Sequence, residues 1–384
     1  MGLAGDLTLD DQRGAFHVDD GVAYFNTAAI SPLLRGVRDA GDAAVAQRAQ
    51  PWTITERDWF EGVDELRRRA AAVMGTDPRN VGLVPSSSYG LATVARNLHA
   101  HPGQRVLVLQ DEFPSSYNTW RRFSERSGAQ LVLVEREPGQ SWADAVVAAV
   151  EERTAVAVLP NVHWTNGARV DLARVAPLLH DVGASLVIDA SQSLGAMPLD
   201  LDVLRPDAMV AVGYKWLLGP MSLGYLYVDA RLQEGEPLEE NWISRSGSED
   251  FSALVDVLAR YRPGAERFDV GERSNFILTP MAAAALQQVL AWTVPRISAT
   301  LAQRTAQIRD GAERLGLSVL SANEGAPHIV GVQLPRESAR HIAAVLAERS
   351  VVASVRGASL RIAPHLHNSD GDVDRLLSAL GAAL

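Results

Sequence analysis

Between residues 80 and 230 the chain repeats one pattern that few folds can accommodate. Seven short runs rich in Val, Leu and Ile follow one another: NVGLV (80–84), RVLVLQ (105–110), QLVLVE (130–135), AVAVLP (155–160), SLVID (185–189), AMVAV (208–212) and LGYLYV (223–228). Helical patterns such as YGLATVARNL, SWADAVVAAVEER and DLARVAPLLHDVG separate the first five. Runs this short and this continuously apolar read as strands covered on both faces. A mostly parallel seven-stranded sheet with helices on both sides meets that demand, which makes the chain an α/β protein. No helix separates AMVAV from LGYLYV, so a hairpin is expected at that end.

The pattern changes after about residue 280. A long helical stretch, 281–316, should bend at Pro295, because proline inside a helix removes a hydrogen bond. Then come IVGVQL, a helix over 336–349, the strands VVASV and SLRIA, and a final helix from 372. This reads as a smaller α+β domain. The expected division is an N-terminal segment, 1–25, packing near the small domain, a large domain, 26–279, and a C-terminal domain, 280–384.

Composition narrows the function. The net charge is -10 with arginines scattered along the chain, which argues against a nucleic-acid surface. No run approaches 18 apolar residues and no secretory leader is evident, so a cytoplasmic protein without membrane contact is expected. With no cysteine, mechanisms that need a thiolate or a cysteine-held metal are excluded. Lys215 is the only lysine; the other 35 of the 36 basic residues are arginines. Guanidinium serves solubility and ion pairing, but only an amine can lose its proton and condense with a carbonyl.

The neighbours of Lys215 point the same way. It follows AMVAV, at the end of a strand expected to be buried, where desolvation favours the free amine. Asp189 ends SLVID, at the carboxyl edge where open sheets bind ligands; capping the next helix is the alternative. A strand-end lysine with a strand-end aspartate suggests pyridoxal phosphate, the lysine on the aldehyde and the aspartate on the pyridine nitrogen. That pairing requires a phosphate site. Three serines before a helix, in PSSSYGLATVARNL, supply one, unless they serve only as an N-cap.

The segment LVIDASQSLGAMPLDLDVLRPDAMVAVGYKWLLGP resembles the core signature of the class V aminotransferase group of fold type I pyridoxal-phosphate enzymes. That group includes cysteine desulfurases, isopenicillin N epimerase-like proteins and kynureninases. The resemblance extends, in order, through YFNTAAISPL, DEFPSSYNTW, PNVHWTNGARVDL, RFDVGERSNF and SVRGASLRIAPHLHN. It implies the fold of a fold type I transferase and a homodimer with its active site at the subunit interface. By position it implies Lys215 as the internal-aldimine lysine, Asp189 on the pyridinium nitrogen, Gln192 as donor to the ring phenolate, and Ser87 and Ser88 on the phosphate. Phe113 falls where desulfurases place a histidine over the ring, in a phrase closer to kynureninases. Tyr214 replaces the histidine that usually precedes the lysine, its hydroxyl a donor to the phosphate; core packing is the alternative for both aromatics. Arg361 falls at the substrate-carboxylate clamp, with Arg356 a weaker candidate. Ser274 falls on the segment that reaches toward a partner's phosphate. His163 is either an acid or base or a hydrogen-bonded spacer. His365 and His367 lack the further ligands a metal site needs.

The resemblance fixes the cofactor more tightly than the reaction. A desulfurase persulfide needs a thiol that this chain lacks, whereas β-elimination does not. The leading expectation is a lyase or aminotransferase acting on a small or modified amino acid. An epimerase is the alternative, and a non-catalytic cofactor-binding homologue ranks below it. A nicotinamide enzyme would need a GxGxxG turn after an early strand, and none is present.

Overall fold

The computed structural model describes residues 7–137, 139–256, 258–334 and 338–384. Residues 1–6 of the N-terminal segment and 336–337 of the predicted helix 336–349 lie outside these ranges. After a two-residue strand, Ala23–Tyr24 (β1), the large sheet comprises Val81–Val84 (β2), Arg105–Leu109 (β3), Gln130–Val134 (β4), Thr154–Pro160 (β5), Ser185–Asp189 (β6), Ala208–Val212 (β7) and Gly224–Val228 (β8). All seven predicted runs form strands, in the order β2-β8-β7-β6-β5-β3-β4. β4, β3, β5, β6 and β7 run parallel, and β7–β8 is the expected hairpin partnership. β8 also pairs antiparallel with β2, which places the first run of the sequence at the far edge.

The strands are buried on both faces because their side chains alternate between two cores. Leu107 and Leu109 join one cluster with Leu159, Ile188 and Met209, while Val106 and Val108 join the other with Val156, Val158 and Val210. Each such side chain contributes about 1.5–3 kcal/mol by leaving water.

The smaller sheet adds Ser318–Val319 (β9), Val330–Gln333 (β10), Ser354–Arg356 (β12) and Ser359–Ile362 (β13), and Val351–Val352 (β11) pairs in parallel with β1. The run VVASV therefore divides between two sheets. Ala23 and Phe25 share a core with Val330 and Leu360, and Arg13 meets Asp372 at 2.8 Å. The predicted bend in 281–316 is a full break: Leu278–Trp292 and Val294–Arg314 are separate helices joined at Thr293, whose φ is 65°. Pro295 lies in the first turn of the second helix, where no partner for an N–H is lost.

This topology brings the carboxyl ends of β3, β5, β6 and β7 to one edge. The helix Ser87–Asn97 lies close against β7: a Cβ on Gly90 would meet Val210 at 2.8 Å. No helix among the described residues is long and apolar enough to cross a membrane.

Candidate active site

Past β7 the chain turns sharply, and Lys215 is held in that turn. Gly213 donates to the Leu223 carbonyl at 2.9 Å, Leu218 to the Lys215 carbonyl at 3.2 Å, and Ser31 grips the Tyr214 carbonyl with its N–H at 3.0 Å and its hydroxyl at 3.1 Å. Trp216, next in sequence, donates its indole N–H to the Gln192 side chain at 3.1 Å. The Lys215 amine itself makes no hydrogen bond or ion pair among the described residues. It lies 5.7 Å from the Phe113 ring centre and 5.9 Å from that of Tyr214. Burial brings it down from the usual lysine range to about 8; Asp189 opposes this, while Arg361 and Arg356 add to it. About a tenth of the amine is then free at pH 7, far more than an ordinary lysine offers.

Lys215 shares a cleft with Ser87, Glu112, Phe113, Trp164, Asp189, Ser191, Gln192 and Tyr214. Asp189 ends β6 and accepts the Ser191 N–H at 2.9 Å. At another wall the helix Ser87–Asn97 begins. Ser86, not Ser87 or Ser88, is its N-cap and accepts the Tyr89 N–H at 3.1 Å. First-turn amides have no partner within a helix, so those of Ser87 and Ser88 are available to an anion. Ser87 lines the cleft, whereas Ser88 is exposed and its hydroxyl meets that of Ser86 at 2.9 Å.

Phe113 is 37% exposed, with its ring edge-on to Trp164 at 5.4 Å. Trp164 ties three pieces together. Its indole N–H donates to the Asp111 carbonyl at 2.7 Å, and its own carbonyl accepts from Arg361 at 2.6 Å. Arg361, on β13, is 2% exposed and also reaches Ser354 at 3.4 Å, but it has no carboxylate partner among the described residues, and its Nε is unpartnered. Burial and then Arg356 lower its proton affinity from the ordinary guanidinium value. Such a group is ready for an incoming carboxylate.

Two expected residues, His163 and Ser274, stand apart from this arrangement, and a third, Gln192, is engaged within it. His163 does not line the cleft: its Nε2–H donates to the Gln110 carbonyl at 3.1 Å, its Nδ1 accepts from Thr165 at 2.7 Å, and its ring stacks on Trp142 at 5.2 Å. Burial lowers its pKa, and both its nitrogens are engaged away from the cleft, an arrangement that fits a hydrogen-bonded spacer. Ser274 donates to the Trp59 carbonyl and lines a different depression, with Asn275 and Phe276. Gln192 lines the cleft, but its amide N–H donates to the Ala28 carbonyl at 3.0 Å. His365 and His367 lie in a buried aromatic group with Phe16, and no metal-holding cluster occurs among the described residues. The residue that sequence reasoning missed is Glu112, a buried acid on the cleft wall.

The sequence matches the family described as aminotransferase class-V over residues 45–360. The chain belongs to the class V aminotransferase family. Members of this family are pyridoxal-phosphate enzymes, and the residues of this class V aminotransferase fit that cofactor. An unpaired amine faces the cleft, a strand-end carboxylate lies across it, and helix amides are free at its edge. Among its relatives, the uncharacterized aminotransferase YcbU of Bacillus subtilis is 25% identical over 358 residues, 93% of this chain and 92% of that one. Isopenicillin N epimerase of Streptomyces clavuligerus is 25% identical over 398 residues, covering 97% and 98%. Among solved structures, a Lys-to-Ala mutant of C-DES with glycine linked to its PLP cofactor superposes with a TM-score of 0.87 at 20% identity, covering 97% of this chain and 99% of that one. The cystine C–S lyase C-DES with its product cysteine persulfide gives 0.84 at 19% identity, covering 94% and 98%.

Proposed function

We propose that this protein is a pyridoxal-phosphate-dependent lyase of the β-elimination type, acting on a small or modified α-amino acid. The observation that carries this reading is the pairing of a desolvated Lys215 amine on the cleft with an Arg361 that has no carboxylate among the described residues, holds the carbonyl of the cleft residue Trp164 and acts on that amine. Bound pyridoxal phosphate supplies an aldehyde for amines to condense with and a pyridinium ring that accepts the electrons released at the α-carbon. Asp189 holds the proton on the pyridine nitrogen. Ser87 and the helix amides of Ser87 and Ser88 hold the phosphate. Arg361 fixes the substrate carboxylate, and so sets which α-carbon bond stands over the ring. Lys215, the one side-chain amine on the cleft, would take the α-proton.

Two observations favour elimination over its rivals. The chain has no thiol, and a C–S lyase that yields cysteine persulfide shares its fold. Epimerisation needs a second acid or base across the ring, where Phe113 has no proton to give and His163 has both nitrogens engaged. We also read the protein as a homodimer. The rings of Trp59, Trp242, Phe251 and Phe276 cluster beside Ser274, with Trp242 37% exposed, and such an apolar patch marks an interface.

Incubation with an amino-acid panel in deuterated water tests the reaction. Elimination gives ammonia and a keto acid with no added acceptor. A keto acid without ammonia would indicate transamination, and α-exchange alone would indicate epimerisation. Lys215→Arg should give a folded protein without turnover and without borohydride-fixed cofactor. Retained activity in that variant would remove Lys215 from its role.

A further inference from the structure

Glu112 is an acid for which the reading above has no use. It follows Asp111, whose backbone is left-handed with φ 57°, an unusual conformation for a residue other than glycine. The Trp164 indole holds the Asp111 carbonyl, so this turn is fixed and aims the next side chain inward. Glu112 is 8% exposed and lines the cleft with Asp189. Its Oε1 accepts its neighbour Phe113's N–H at 2.6 Å, while its Oε2 is buried without a hydrogen-bond partner.

We propose that Glu112 and Asp189 form a carboxyl pair sharing one proton, carried by Glu112, so that Glu112 is a positioning residue acting on the pyridine nitrogen through Asp189. Two buried carboxylates lining one desolvated cleft cannot both ionise cheaply. The proton goes to Glu112 because Asp189 has the Ser191 N–H and faces the Lys215 ammonium, whereas Oε2 of Glu112 has no donor. Burial first, and Asp189 second, push the Glu112 carboxyl up to about 8, against the Phe113 N–H. The other titratable groups around it are Tyr214 and Lys215 from the turn after β7, Asp111 from its own turn, and His163, neutral, from the end of β5; Arg361 and Arg356 act on Lys215 from the small sheet.

The pair rests on the cofactor reading only for its effect on the ring, so its test begins without cofactor. Infrared difference spectra of cofactor-free protein, with and without 13C-labelled glutamate, should show a neutral carboxyl band at pH 7 that vanishes as the pH rises past about 8. Glu112→Gln should delete this band, which assigns it. Asp189→Asn should move the titration to lower pH. An absent band at pH 7, or a titration that Asp189→Asn leaves unmoved, overturns the pair. Adding pyridoxal phosphate should also lower the titration, since a ring N–H⁺ offsets the Asp189 charge. If Asp189→Asn moves it and the cofactor does not, the pair stands and the cofactor placement falls.

Discussion

Two sets of buried guanidinium groups, one beside the large sheet and one on the smaller sheet, differ in what neutralises them. Beside the large sheet, Arg67 and Arg273 close on Asp269, which is 0% exposed and also accepts the Leu83 N–H at 2.7 Å. Burial alone would raise the Asp269 carboxyl, but Arg67 and Arg273 outweigh it and hold it below the usual carboxylate range. On the smaller sheet, Arg361 is buried as deeply, yet among the described residues only the Trp164 carbonyl and the Ser354 hydroxyl answer it. The first cluster is complete within the fold. The second has no carboxylate among the described residues, which fits the substrate-carboxylate role proposed for it. Lack of a carboxylate is not by itself a mark of binding, since buried Arg309 is answered only by the Thr305 hydroxyl and the Ala326 carbonyl; what distinguishes Arg361 is its tie to the cleft residue Trp164.

The strongest challenge to this contrast is Asp269→Asn. It leaves two buried guanidinium groups with only the more distant Glu266, 3.4 Å from Arg273 and 3.9 Å from Arg67, and should cost about 3–5 kcal/mol of stability, read from urea denaturation. A loss under about 1 kcal/mol would make the two sites alike.

Arg361→Met keeps an apolar stem and removes the charge. Stability should hold within about 1 kcal/mol, because an uncompensated buried charge is lost with the side chain. The value of kcat/KM should fall by about 2–4 kcal/mol, roughly 30- to 1,000-fold, mostly through KM. The opposite split would make Arg361 structural.

Acid should expose a third category, polar groups buried neutral. Burial holds His328 and His367 at about 4, below the ordinary histidine value of about 6.5. As pH falls through that window the unfolded chain gains protons that the folded one refuses. Stability should therefore decline from about pH 6.5 to about 4, by up to about 3 kcal/mol per residue. Asp269 carries the opposite charge but a depression of the same sign, so its contribution is lost only at lower pH still. Melting temperatures measured against pH should show both steps, and His328→Asn and His367→Gln should flatten the upper one.

The smallest effect belongs to Arg356, which is half-buried and donates to the Val355 carbonyl at 2.8 Å. Arg356→Ala should cost less than about 1 kcal/mol in kcat/KM. It should also shift the Lys215 titration slightly upward, because a nearby positive charge is removed.

The sheet and its ligand edge were legible because apolar runs of strand length declare themselves, and because Lys215 and Asp189 each end one. Their side chains follow from where the strands stop. Glu112 was not legible: in DEFPS it reads as one more loop carboxylate, and only the left-handed turn at Asp111 drives it inward. The choice among Ser86, Ser87 and Ser88 depends on which of three identical side chains has the extended backbone of an N-cap, a matter of two torsion angles. The role of His163 turned on where its two nitrogens point, which residue spacing does not encode. Thr293 shows the same gap, since a proline marks where a helix is in trouble without saying whether it bends or breaks.

The solitary lysine has one more consequence. Beyond the amine at the start of the chain, this protein offers a primary amine at a single address, and that address is the floor of its cleft. An amine-directed reagent small enough to enter therefore marks one side chain in each subunit, read as the adduct on the Lys215 peptide apart from the one on the terminal amine. The mass of the adduct reports occupancy directly, and anything that fills the cleft should appear as a missing adduct.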